Sequence, residues 1–153
     1  MAVKIEIVPA RALHIRTIAK RMRQADRDEV LASSGKTPLE ALRYSMRKSA
    51  FSWAVLVNGR PEVMFGVCNM SVLTDTGIPW LLGTDAIDRH YVAFLRQSAG
   101  CLAQLSARYP ILRNFVDDRN VVSIRWLRWL GFTISEPVHL NGHDFRMFEL
   151  RSG

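Results

Sequence analysis

Asn120 and Ser123 sit three residues apart in Asp118-Arg-Asn-Val-Val-Ser-Ile-Arg-Trp-Leu-Arg-Trp-Leu-Gly-Phe132. On a helix both fall on the apolar side, beside Leu127. Buried polar side chains need partners, so this pair either ties down neighbouring backbone or lines a groove. A second place is Leu82-Gly-Thr-Asp-Ala-Ile-Asp-Arg89, which opens the longest helix the sequence predicts and has one glycine, Gly83, before Thr84. Unpaired amides and the positive end of a helix attract anions there. Asp85 and Asp88 work against that, because carboxylates in the first turn are expected to cap those amides themselves. The remaining groups offer less. Cys68 and Cys101 read as small core thiols in a reducing compartment. His139 and His143 flank an Asn-Gly turn off-register, with no carboxylate cluster to complete a metal site. Asp117 and Asp118 precede a helix as cap and dipole partners.

The elements that must position these groups follow from apolar spacing. Val3 to Val8 alternates as a strand, and Pro9 leads into a helix from Ala10 to about Arg23. Ser33-Ser-Gly-Lys36 is a break. Thr37, Pro38 and Glu40 form a capping-box start to a helix ending near Ser49. Trp53 to Val57, Asn58-Gly59 and a run to Val67 form a central hairpin. Gly77 to Gly83 is a buried strand, Asp85 to Arg108 the longest helix and Ile111 to Val116 a strand. The last helix runs from Asn120 to Gly131. Val122, Ile124, Trp126, Leu127, Trp129 and Leu130 are expected to be covered, leaving Val121, Arg125 and Arg128 to water. Phe132 to Val138 and Asp144 to Leu150 are strands, the second after Asn141-Gly142. The order β-α-α-β-β-β-α-β-α-β-β predicts one α/β (α+β) domain over residues 1–153, with a mixed central sheet and helices on both faces.

The chain has 153 residues, 48% hydrophobic and 23% charged, enough for one real core. No apolar run approaches the ~20 residues of a membrane helix, and the N-terminus has no signal-peptide plan. The net charge of +7 is uneven, since residues 1–48 hold eleven Lys/Arg against five Asp/Glu. Such a face fits nucleic acid, an anionic lipid or an acidic protein, or is a solvated helix surface. Arg11, Arg16, Arg23, Arg43 and Arg47 are its candidate contacts.

An Asn, a small residue three positions on, and Gly-Phe eleven and twelve on resembles the last helix of the GNAT N-acetyltransferase superfamily. From about Val63 onward the sequence is more narrowly similar to the internal virion protein family of T7-type phages, which has a GNAT-like fold. There too a Ser-Ile-Arg-Trp-Leu-like helix precedes a Gly, and an Asn-Gly turn and a Phe-rich strand end the chain. The GNAT resemblance implies that acetyl-coenzyme A lies between two splayed parallel strands, its pyrophosphate on a Gly-rich loop. Gly83 and Thr84 would then approach the pyrophosphate, the strand before Gly83 the pantetheine, and Asn120 and Ser123 would line the groove. A water or Glu62 would deprotonate the amine. The loop here lacks the Gly-x-Gly or Gly-x-Ala pair. Leu127 stands where many such enzymes place a proton-donating Tyr, and Leu cannot donate. The narrower resemblance instead implies a virion-associated or assembly protein without a cofactor. It would meet other virion proteins or DNA, first in the host cytoplasm and then in the particle.

Overall fold

A computed structural model describes residues 2–71 and 73–152. Strand β1 (Ile5–Pro9) is followed by helices α1 (Ala12–Lys20), α2 (Gln24–Ser34) and α3 (Pro38–Lys48). Then come β2 (Ser49–Val57), β3 (Arg60–Asn69), β4 (Thr76–Gly83), α4 (Ala86–Arg89), α5 (Tyr91–Arg108) and β5 (Ile111–Asp117). The chain ends in α6 (Val121–Trp129), β6 (Thr133–Ile134), β7 (Val138–Leu140) and β8 (His143–Arg151).

Local chemistry accounts for most boundaries. Thr37 and Glu40 close the capping box that starts α3, with Pro38 in the first turn. Asn58 and Gly59 turn the β2–β3 hairpin with φ of 50° and 84°, and Asn141 and Gly142 turn the last one with 53° and 79°. The mixed α/β single domain expected from the sequence is found, with three helices rather than two before β2. The missed helix is α2, whose buried residues are Asp26, Val30 and Ala32. Its inward side carries charge, so it shows no apolar stripe to read. The long helix also breaks at His90, separating α4 from α5.

The sheet runs β1-β2-β3-β4-β5-β8-β6, with β7 also on β8. Every pairing is antiparallel except β4 with β5. That parallel pair holds only at Thr76–Ile111 and Gly77–Leu112. Alternation along the strands divides the core between the two faces of the sheet. Ala54, Met64 and Leu82 meet α1, α3 and Val30 on one face. On the other, Val55 and Val63 meet Ile87 and Phe94, while Val67, Val116 and Phe148 meet Leu105 and Ile124. The last helix is less enclosed than its sequence suggests. Trp126 is buried, but Trp129 is 56% exposed and shares the outer side with Val121, Arg125 and Arg128. Only one side of α6 faces the sheet, which leaves the broad apolar arc incompletely covered.

Candidate active site

Beyond Gly77 and Leu112, β4 and β5 diverge and leave a cleft of about 340 Å³. Phe65, Leu81, Phe94, Leu102, Trp126 and Leu127 supply much of its apolar wall, and Glu29, Asn114 and Ser123 reach it with polar groups. Across the splay, the Asn114 side-chain amide donates to the Pro79 carbonyl at 2.7 Å. Leu127 is part of this wall.

Gly83 and Thr84 stand at the end of β4, and Asn120 and Ser123 at the start of α6. The structure brings the two pairs toward each other, but the first turn of α2 lies between them. Met22 bridges to Thr84, and the Arg23 amide donates to the Gly83 carbonyl at 2.9 Å. Asp26 Oδ2 accepts from the Gly83 amide at 3.0 Å. One turn further on, Glu29 Oε1 accepts from the Asp117 amide at the end of β5, at 2.7 Å. Helix α2 thus sews both diverging strands to itself.

The Arg23 guanidinium completes the seam. Its Nη2 donates to Ser123 Oγ at 2.7 Å and Asn120 Oδ1 at 3.5 Å. It also pairs with Asp26 at 3.0 Å and Asp88 at 3.3 Å. Arg23 Nε is the buried side-chain nitrogen without a partner among the described residues. Burial opposes the Arg23 charge, and Asp26, Asp88 and Glu29 outweigh it, so its pKa lies above the ordinary value. Arg23 is 4% exposed, which removes it from the proposed contact surface; Arg11, Arg16, Arg43 and Arg47 are exposed. A long cation drawn inward by carboxylates one and many turns away is invisible to a count of surface charge.

The Gly83, Thr84 and Ala86 amides are occupied, though not by the carboxylates expected. Asp85 makes no side-chain cap, and Asp88 turns to Arg23. Gly83 has Asp26, the Thr84 amide has the Glu62 carbonyl at 2.9 Å, and the Ala86 amide has Thr84 Oγ1 at 3.2 Å. Gly83 itself is packed too closely for a side chain, since a Cβ would lie 2.7 Å from Ile87 Cδ1.

Two further acids behave differently. Glu62 is buried and accepts from Arg21 at 2.9 Å, Arg60 at 2.7 Å and the Thr84 hydroxyl. Burial opposes its charge, but these donors prevail and hold it below the ordinary carboxyl value. So held, it makes a poor proton acceptor. Glu29 is the reverse: burial, then the charges of Asp26 and Asp117, outweigh hydrogen bonds from the Asp117 amide and Asn120. Its pKa is pushed up to about 7. Sequence reasoning missed Asp26 and Glu29, and their one signal was a helical i, i+3 spacing of acids in a stretch without apolar periodicity. Among the described residues no cluster of His, Cys, Asp and Glu forms a metal site.

No protein-family model matches the sequence, and neither does any curated protein. Solved structures match it along nearly its whole length. A GNAT-family acetyltransferase from Streptococcus pneumoniae is 14% identical, with a TM-score of 0.63 over 97% of this chain and 100% of that one. The ribosomal-protein-S5-alanine acetyltransferase from Vibrio fischeri is 14% identical, with a TM-score of 0.65 over 96% and 92%. The ribosomal L7/L12 alpha-N-protein acetyltransferase RimL, solved with coenzyme A, is 10% identical, with a TM-score of 0.67 over 96% and 93%. At such identities the likeness is one of fold, and that fold is the GNAT acetyltransferase fold.

Proposed function

We propose that this chain is a GNAT-fold protein that works by contact, without acetyl transfer, in a phage particle or its assembly. One observation carries the non-catalytic half: α2 is tied across the ends of β4 and β5 through Arg23, Asp26 and Glu29. A coenzyme pyrophosphate needs free amides at Gly83 and Thr84, and both are taken. Freeing the first takes Asp26 off its amide and disturbs its buried pair with Arg23, and breaking such a pair costs about 3–5 kcal/mol, or roughly 150-fold to 5,000-fold in affinity. The virion setting rests on the resemblance of the chain from about Val63 onward. In that setting its partners are other virion proteins, it needs no cofactor, and it passes from host cytoplasm into the particle.

Calorimetric titration with acetyl-coenzyme A tests the first half, and no saturable heat below millimolar ligand is expected. A micromolar dissociation constant would overturn it. Gradient-purified particles test the second half. If the protein is missing from them and its gene is dispensable for infectivity, the particle role falls.

A working N-acetyltransferase is the second reading, favoured by the cleft of about 340 Å³ that persists behind the seam and by Glu29 at its edge. In that reading Arg23 withdraws, Gly83, Thr84, Asn120 and Ser123 receive acetyl-coenzyme A, and Glu29 takes the place of Glu62 as proton acceptor. The same titration separates the two readings.

A further inference from the structure

The fold sorts the eleven cations of residues 1–48 into two sets. Lys4 pairs with Glu6, Arg21 with Glu62, and Arg23 with Asp26, while Arg27 donates to carbonyls at the end of α1. Arg11, Arg16, Lys20, Lys36, Arg43, Arg47 and Lys48 make no ion pair among the described residues. They lie along α1, α3 and the turn before α3, and α1 packs on α3 on one face of the sheet. Glu40, the acid on α3, is committed to the capping box. We propose that this ridge binds the phosphate backbone of duplex DNA without reading its sequence, which deepens the contact reading by naming a partner.

Spacing supports a regular polyanion. Arg16 and Lys20 are one helical turn apart, as are Arg43 and Arg47, giving steps of ~6 Å along each helix. The axes of packed helices lie ~8–10 Å apart, so the two rows run on neighbouring helices. A protein interface has an apolar, charge-depleted centre. Here the exposed large hydrophobics of α1 and α3 are Leu13 and Tyr44, and the Tyr44 ring is covered by Lys36 at 4.5 Å. One half-exposed ring with a lysine on it is short of the row of stacking aromatics that a single strand uses. Neither helix contains Asn or Gln, and Arg16, Arg43 and Arg47 stand on a packed surface rather than on a protruding helix, so phosphate contact is the available mode.

The test is fluorescence anisotropy of a labelled 25-base-pair duplex from 50 to 300 mM salt. With four to seven cations engaged, log K against log salt should fall with a slope between about −3.5 and −6. The double variant R43E/R47E should weaken binding at least tenfold and flatten the slope by about two, with an unchanged circular dichroism spectrum. R125E/R128E, on exposed positions of α6, makes the same change in net charge and should bind nearly as wild type. Equal loss in both double variants, or in neither, overturns the ridge. So does tighter binding to poly-glutamate or to phosphatidylserine vesicles than to the duplex. Arg43 and Arg47 do not line the β4–β5 cleft. A coenzyme complex would therefore end the non-catalytic reading and leave this result standing.

Discussion

Replacing Arg23 by Met isolates the seam, because Met keeps most of the side-chain length and removes only the charge and donors. The Arg23 side chain is 3% exposed and its partner Asp26 is 1% exposed. The variant leaves Asp26 with the Gly83 amide and no cation. Stranding one member of a buried pair costs about 3–5 kcal/mol. For a chain of this size that lowers Tm by about 6–20 °C. Asp88, 46% exposed, can turn to water, and Asn120 keeps the Ser123 amide, so most of the loss belongs to Asp26. The double variant R23M/D26N keeps an acceptor for Gly83 without a charge and should recover more than half of it. Burial already pushes the Asp26 carboxyl up, and Arg23 is the main opposing influence. In R23M the Asp26 carboxyl is pushed further up, so the folded chain keeps that proton to higher pH than the unfolded chain does. That contribution is present at low pH and disappears as pH rises, so the deficit should be larger at pH 8 than at pH 5. Urea melts of wild type, both single variants and the double variant at the two pH values measure all of this. A loss in R23M below about 1 kcal/mol, or a double variant equal to the sum of the singles, would refute the seam.

Glu29 should make stability fall with rising pH. Its carboxyl is pushed from 4.5 to about 7, so the contribution is full below about pH 4.5 and is lost as pH passes 7. Relative to Glu29→Gln, wild type should lose about 2–3 kcal/mol between pH 5 and pH 8, read from paired chemical melts. In Gly66→Ala the new Cβ would run into the Phe51 carbonyl oxygen, and main chain yields at greater cost than the end of a flexible side chain. A loss of at least about 2 kcal/mol is expected in thermal melts. Trp126→Ala should cost about 3–5 kcal/mol and Trp129→Ala less than about 1 kcal/mol, since the first ring is 6% exposed and the second 56%. Similar losses in the two would mean that α6 is turned differently.

The sequence by itself determined most strands, the turns and most helices, because these are local events; the strand expected over Phe132 to Val138 is instead two short ones, Thr133–Ile134 and Val138–Leu140. Alternation wrote β1, apolar runs on either side of Asn58-Gly59 wrote β2 and β3, Asn-Gly wrote the hairpin turns at Asn58 and Asn141, and Thr37, Pro38 and Glu40 wrote the start of α3. It also marked Asn120 and Ser123 as polar groups on a buried side and Leu127 as a residue without a proton to give. What those groups touch was decided only in three dimensions. Ser123 meets Arg23 from a hundred residues away, Gly83 meets Asp26 from fifty-seven, and Asp117 meets Glu29 from eighty-eight. Helix α2 brings all three contacts, and its buried side is charged, so apolar periodicity had nothing to report there. Apolar burial is written position by position along a chain. Pairing between buried charges is a relation between distant positions, and it exists only once the fold has placed them side by side.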